Sequence, residues 1–235
     1  VQRVHDYYGD MTILGIENIQ GSNLNDYIKG NGQNNTLWGG AGDDVLDGGA
    51  GNDDWLYYTD LGSTNVSVNL RNNTATHGSS TDSITAIEHL KMGNGTNTVQ
   101  GNSYANSFIG GTGTDTLSYS EAASGVTVNV TSAGAGTSSG DGADVFTGFE
   151  NYTLSGNADI INLDVVHNGS IINGGTGTDT VKFTGMAKSY AGVPIQNAKV
   201  KYTVTRRPNR LWCRFSSEND VVVVKDTIES DINGK

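Results

Sequence analysis

Residues 39–56 read Gly-Gly-Ala-Gly-Asp-Asp-Val-Leu-Asp-Gly-Gly-Ala-Gly-Asn-Asp-Asp-Trp-Leu, which is one pattern of nine residues written twice. Each copy begins with Gly-Gly-x-Gly-x-Asp and carries an apolar residue at its eighth position. The same six-residue pattern returns at residues 110–115 and 174–179. At the glycine and aspartate frequencies of this chain, chance would produce the pattern roughly 0.05 times. The repeat of nine residues is therefore the main structural signal.

Looser copies of the repeat extend the pattern in both directions. They define three glycine-rich blocks, at about residues 21–56, 92–118 and 154–182. Between the blocks, residues 65–70 and 125–130 alternate apolar and polar side chains, which is typical of half-buried strands. The chain shows no sustained period of 3.6 residues, so we expect almost no helix.

A longer period lies over the short one. Ile13–Ile19 is echoed by Ile84–Leu90 and again by Phe146–Tyr152, and each copy precedes a glycine-rich block. We therefore expect three units of about 60 to 70 residues stacked end to end over residues 1–183. Residues 184–235 contain no nonapeptides, and we expect their strands to cap the stack, because an open stack of strands needs a terminal cap.

Composition and charge narrow the classes of function. The 235 residues include 33 glycines and 35% hydrophobic residues, so a thick globular core is not expected. The net charge of −11 disfavours nucleic acid and anionic membranes as partners and favours cations. The single cysteine, Cys213, excludes an intrachain disulfide and a Cys-rich zinc site. No apolar run is long enough to span a membrane, and the first residues contain no signal-peptide core.

The nonapeptide resembles the calcium-binding repeat of the RTX (repeats-in-toxin) family, the haemolysin-type repeats of proteins secreted by the type I route. The resemblance implies an all-β, right-handed parallel β-roll or β-solenoid. Positions 1 to 6 of each repeat form a turn, positions 7 to 9 form a short strand, and turns 18 residues apart stack on one edge. In the family a calcium ion lies between two stacked turns. It takes carbonyls of positions 2 and 4 and the position-6 side chain of the first turn, and carbonyls of positions 1 and 3 and the Asp of the second.

The resemblance assigns ligands residue by residue. The first implied site comprises Ser22, Leu24, Asp26, Gly39, Ala41 and Asp44, and the turn glycines Gly40 and Gly42 belong to it. The second comprises Asn31, Gln33, Asn35, Gly48, Ala50 and Asp53. The third comprises Gly93, Gly95, Asn97, Gly110, Thr112 and Asp115. The fourth joins Asp159 to Gly174, Thr176 and Asp179, and Asn106 is a further position-6 residue.

Asn at position 6 keeps an oxygen but loses a charge, so we expect the sites of Asn35, Asn97 and Asn106 to be weaker than the Asp26/Asp44 site. From the residues alone, a second interpretation of the turns stays open. The stack would be metal-free, and the Asn and Asp side chains would bond only the turn backbone.

Neither a catalytic triad nor another metal site is expected. Residues 136–140 match the hydrolase pattern Gly-x-Ser-x-Gly, but no apolar strand precedes them and no helix follows, so we interpret them as a loop. His5, His77, His89 and His167 share no metal-binding spacing and are expected at the surface.

The sequence thus predicts a non-catalytic, secreted or cell-surface module that binds calcium and folds on it after secretion, as a structural part of a larger protein. Two other classes stay open: the C-terminal module of a secreted protease, lipase or alginate epimerase, and an adhesive repeat of a surface layer, an adhesin or a phage particle. Calcium is the expected ligand. Neighbouring repeats or copies of the same protein are expected partners, no nucleic acid or membrane insertion is expected, and glycan binding stays open.

Overall fold

The computed structural model describes residues 2–6, 9–132, 134–164, 170–183, 199–207, 210–213 and 224–229. Side chains are described over residues 13–131, 134–164 and 170–182. His5 and His167 lie outside the described side chains. None of the described residues forms a helix long and apolar enough to cross a membrane.

Nearly all regular structure in this part of the chain is β-strand, arranged in two sheets whose strands we number in chain order. In spatial order, the larger, 14-stranded sheet contains β2 (Gly9–Ile13), β1 (Gln2–Asp6), β4 (Tyr27–Lys29), β6 (Val45–Asp47), β10 (Ser80–Thr85), β9 (Thr74–His77), β8 (Val66–Asn69), β12 (Thr98–Gln100), β14 (Thr116–Ser118), β18 (Asn151–Thr153), β20 (Ile172–Asn173), β23 (Arg210–Cys213), β22 (Lys199–Arg207) and β24 (Val224–Glu229). The 10-stranded sheet contains β21 (Thr180–Phe183), β19 (Ile160–Leu163), β15 (Thr127–Ser132), β16 (Ala135–Ser139), β17 (Val145–Thr147), β13 (Ser107–Ile109), β11 (His89–Lys91), β7 (Trp55–Tyr57), β5 (Thr36–Trp38) and β3 (Asn18–Gln20). One 3-10 turn, Thr59–Leu61, joins them.

Successive nonapeptides alternate between the two sheets, and strands two repeats apart pair in parallel. Tyr27 pairs with Val45 across β4 and β6, a spacing of 18 residues. The central side chain of each short strand points inward, and Ile28 and Leu46 are completely buried. The core is thus a thin ladder of single aliphatic and aromatic side chains between the sheets. The predicted all-β solenoid of parallel strands is confirmed.

One predicted register is wrong by a residue. Trp55 is the eighth residue of the repeat that begins at Gly48, so the sequence pattern predicts that it points into the core. In the structure, Leu37 of β5 pairs with Leu56 of β7, and Leu56 is the buried side chain. In the repeat that begins at Gly48, one extra residue precedes the strand. The inward side chain is therefore the ninth residue of this repeat and not the eighth. Leu56 matches the width of the core, whereas Trp55 packs outside, 4.8 Å from the ring of His89.

Two antiparallel insertions interrupt the parallel stacking. β8, β9 and β10 form one, and β15, β16 and β17 form the other. Residues 136–140, predicted as a loop, lie mostly in β16, because both hydrogen-bonding edges of that strand pair with a neighbouring strand. At the other end of the chain, β22 pairs with β23 and β24 and extends the larger sheet. The division at residue 183 stays a prediction.

Candidate metal sites

The glycine-rich turns stack in pairs along both edges of the solenoid. A Cβ atom at Gly40 would lie 1.7 Å from the carbonyl oxygen of Ser22, and Gly40 has a φ of +97°, so only glycine fits this close approach. The same contact returns in four turn pairs, which we call the first (residues 22–26 and 39–44), second (31–35 and 48–54), third (93–97 and 110–115) and fourth (155–159 and 174–179).

Within each pair, the position-4 glycine of the later turn faces the position-4 residue of the earlier one. A Cβ at Gly42 would lie 2.7 Å from the carbonyl carbon of Leu24, and one at Gly113 would lie 2.3 Å from the carbonyl oxygen of Gly95. The position-2 and position-4 backbones of one turn are therefore turned toward the next, as the resemblance implies.

A ladder of side-chain carboxylates joins the turns. The backbone N–H of Asp26 donates to Oδ1 of Asp44 at 2.9 Å, and that of Asp44 donates to Oδ1 of Asp82 at 3.0 Å. The backbone N–H of Asp159 likewise donates to Asp179 Oδ1 at 3.1 Å. Each of these carboxylates thereby fixes the position of one turn relative to the next turn of the stack.

Four buried aspartates among the described side chains have one carboxylate oxygen without a hydrogen-bond partner in the protein. Among the described side chains, Oδ2 of Asp44, Asp54, Asp115 and Asp159 is buried without a hydrogen bond. A buried anionic oxygen without a hydrogen-bond partner is costly, so each of these atoms favours a cation or a proton as its partner.

Other oxygens converge beside these carboxylates. The point where a Cβ at Gly51 would lie is 2.7 Å from Asp54 Oδ2 and 2.9 Å from the Gln33 carbonyl oxygen. A Cβ at Gly21, the first position of its turn, would lie 2.3 Å from the Gly39 carbonyl oxygen and 2.7 Å from Asp26 Oδ2, which accepts the backbone N–H of Ser22 at 2.6 Å and its hydroxyl at 2.9 Å. Glycine leaves these spaces without a side chain, and carboxylate and carbonyl oxygens are the ligands that calcium prefers. The residues therefore fit the ion.

Burial also changes the acidity of these groups. Desolvation is the main cause that raises the pKa of Asp44, Asp54 and Asp115 to about 6. Neighbouring acids, such as Asp82 beside Asp44 and Glu88 beside Asp54, act in the same direction. The turns thus hold charge that the protein alone does not neutralise.

In the described part of the chain, no three His, Cys, Asp or Glu side chains cluster as a metal site. Each turn pair contains at most two buried carboxylates, because Asp43 of the first pair is exposed.

The second turn pair corrects one predicted residue. Asp53 is exposed and pairs with His89 at 2.7 Å, whereas Asp54 is buried and its Oδ1 accepts the backbone N–H of Asn35 at 2.7 Å. Asp54 rather than Asp53 therefore occupies the position equivalent to Asp44. The adjacent aspartates hid the extra residue, but counting two residues back from the inward Leu56 finds it.

The third turn pair contains Asn97 where the first contains Asp26. The Oδ1 of Asn97 accepts the backbone N–H of Val66 at 3.1 Å, and its Nδ2 points to the carbonyls of Gly93 and Gly95. The amide oxygen that the resemblance assigns to the ion therefore accepts a hydrogen bond from another coil instead. Thr112 is an exposed turn residue of this pair.

The remaining position-6 residues differ among themselves. Asn35 accepts the N–H of Asn31 at 2.8 Å. Asn106 donates through Nδ2 to the Glu88 carbonyl at 2.9 Å and lies in no glycine-rich turn pair. In the fourth pair, Thr176 donates to the Gly156 carbonyl at 2.9 Å.

Several acids of the ladder were not predicted. Asp82 and Asp144, 62 residues apart, lie in the two insertions, and Tyr58 and Tyr119 donate to them at 2.9 and 2.8 Å. His77 is buried against Asp82 at 3.0 Å, so the expectation of a surface histidine is wrong there. His77 and Asp82 are only five residues apart, on either side of the β9–β10 turn, and this short spacing was a signal for the contact.

Glu88 and Glu150 close the ladder at the start of the second and third units. They accept the backbone N–H of Asp54 at 3.0 Å and of Asp115 at 2.8 Å. Their positions in the echoed Ile-Glu and Phe-Glu pairs were visible in the sequence, but their role was not.

Comparison with known proteins supports this site. Residues 20–54 and 93–121 match the RTX calcium-binding nonapeptide repeat, in four copies. The first three turn pairs lie within these segments, and the fourth lies outside them. The curated proteins contain no significant match. Two segments of the chain thus match RTX repeats, and the ion that such repeats bind is calcium.

Proposed function

We propose that these RTX repeats make the chain a calcium-dependent structural module, in which the ion completes the stacked turns. The observation that carries this proposal is the Oδ2 atom of Asp44, which is buried and has no protein partner. Asp54 and Asp159 present the same atom in the second and fourth turn pairs. A calcium ion between the turns would take these oxygens together with neighbouring carbonyls and offset their charge.

Mass action makes the ion a folding switch. Extracellular modules bind calcium with dissociation constants of about 10⁻⁴–10⁻³ M. At 10⁻⁴ M, 1 mM calcium stabilises the folded chain by roughly 1.4 kcal/mol per site. Several sites together approach the whole stability of a domain, about 5–15 kcal/mol.

The same argument supports a site of action outside the cell. Cytosolic calcium is too low to fill sites of this affinity, so the chain would stay unfolded there and fold after export. The acidic composition, with 25 Asp and Glu against 14 Lys and Arg, adds repulsion that calcium removes. We place the module in a larger secreted or surface protein, exported by the type I route.

We assign the module no catalytic role. Ser138, the serine of the Gly-x-Ser-x-Gly pattern, is buried in β16 and donates to Asp144 Oδ2 at 2.8 Å. This burial and this hydrogen bond support a structural role for the serine.

Circular dichroism in millimolar calcium, in millimolar magnesium and after removal of all divalent ions tests the proposal. We expect a β spectrum in calcium and loss of most of it without the ion. Magnesium should not substitute, because it demands a more regular geometry and keeps its waters. A spectrum that is the same in all three conditions would refute the proposal.

A further inference from the structure

In the third turn pair, a side-chain amide lies at the position where the first and fourth pairs have a carboxylate. Asn97 is completely buried and lies 62 residues before Asp159, which is also buried. Both side chains accept an N–H from the preceding coil through Oδ1, from Val66 at 3.1 Å and from Val126 at 2.7 Å. The two residues thus occupy equivalent places and use one oxygen for the same purpose.

Their other terminal atoms differ. In Asp159 this atom is Oδ2, which has no partner. In Asn97 it is Nδ2, which lies 3.3 Å from the Gly93 carbonyl oxygen, 3.1 Å from that of Gly95 and 3.2 Å from that of Gly110. These are three of the carbonyls that the repeat pattern assigns to an ion.

The chemistry of its neighbours fixes the orientation of this amide. A flipped amide would direct its oxygen at three carbonyl oxygens and its NH₂ at the N–H of Val66, so that every one of these contacts would be repulsive. Calcium binding through the oxygen would need this flip and would leave the buried N–H of Val66 without an acceptor.

We propose that the amide of Asn97 takes the place of the cation in the third turn pair, which therefore closes without calcium. The inference rests on the proposed function, because it contrasts this pair with pairs that bind the ion. Asn97 holds the turn carbonyls by donating protons, as the ion would hold them by its charge. The middle of the solenoid is then joined independently of calcium, while its other turn pairs depend on it.

One substitution should restore the missing site. Asn97→Asp would give the third pair two carboxylates, since Asp115 already contributes an Oδ2 without a partner. Asn94→Asp is the matched control, because Asn94 belongs to the same turn but is exposed, so that it adds the same charge at the surface.

Native mass spectrometry of the full chain in calcium counts the bound ions. We expect Asn97→Asp to bind one calcium more than the wild type and Asn94→Asp to bind the same number. An unchanged count for Asn97→Asp, with calcium bound to the wild type, overturns the inference alone. A wild-type chain that binds no calcium refutes the proposed function instead.

NMR of the wild type gives a test that does not depend on how the variants fold. The side-chain NH₂ of Asn97 should be protected from exchange in the calcium-loaded chain, as expected for a buried donor to three carbonyls. An NH₂ group that exchanges as fast as that of the exposed Asn94 would overturn the inference.

Discussion

The backbone N–H of Asp26 donates to Oδ1 of Asp44 at 2.9 Å, so a single carboxylate joins two turns that are 18 residues apart. The protein supplies this contact without any ion. What the protein does not supply is a partner for the other oxygen of Asp44. Stacking and charge neutralisation are therefore separate tasks, and substitutions should distinguish them.

Asp53 and Asp54 provide a test of register with neighbouring residues. Asp54→Ala removes a buried ligand and the acceptor for Asn35, so we expect the free energy of unfolding in 1 mM calcium to fall by about 2–3 kcal/mol. Asp53→Ala removes only an exposed pair with His89, and the change should stay below about 1 kcal/mol. Urea unfolding in calcium measures both, and equal losses would contradict the register in the structure.

Asp44 should matter more for calcium than Asp179. It lies in the most regular block and is bonded to Asp26 on one side and Asp82 on the other, so that it borders two neighbouring turns. Asp44→Ala is therefore expected to raise the calcium midpoint of folding more than Asp179→Ala, by several-fold. Calcium titrations followed by circular dichroism give the two midpoints, and equal values would show that the position in the block does not matter.

The sequence predicts the parallel coils because the repeat of nine sets both the turn glycines and the inward residue. It misplaces the acid of the second turn pair because Asp53 and Asp54 fit the pattern equally well until the inward Leu56 is known. The residue type of Asn97 shows that an amide is present, but only the position of Val66 shows which of its two ends enters the turn.

The acids of the insertions were beyond sequence reasoning for a different reason. Asp82 meets Asp44 across 38 residues, because β9 and β10 fold back onto the coil before it. Neither the nonapeptide period nor local spacing encodes such a contact. The repeat of this arrangement 62 residues later, at Asp144, was visible only as a general echo between units.

The contact between Tyr58 and Asp82 should stabilise the fold without affecting calcium binding. Tyr58→Phe leaves the buried Asp82 with one donor fewer, so we expect a loss of about 1–3 kcal/mol in calcium. The calcium midpoint corrected for this loss should not change, since the phenol is not a ligand. Tyr104→Phe, at an exposed ring, is the control. A change in the number of bound ions for Tyr58→Phe would contradict this assignment.

The pH dependence of stability should reverse when calcium is removed. In the ion-free chain, burial raises the pKa of Asp44, Asp54 and Asp115 from 3.8 to about 6, so the folded state binds protons more tightly than the unfolded state. Their protonation stabilises the fold below the unfolded pKa, and this contribution is lost as the pH rises through about 6. The small folded fraction of the ion-free chain should therefore be larger at pH 5 than at pH 7.5.

With calcium bound, the carboxylates that hold the ion must be ionised, and protons compete with the ion. The loaded chain should then be more stable at pH 7.5 than at pH 5. Urea midpoints at both pH values measure the trend of the loaded chain. The β signal in circular dichroism measures that of the ion-free chain, with calcium removed by a resin because soluble chelators weaken in acid. A resin-treated chain that is more stable at pH 7.5 would mean that the buried aspartates carry no raised pKa, and that their unpartnered oxygens find water or another donor in solution.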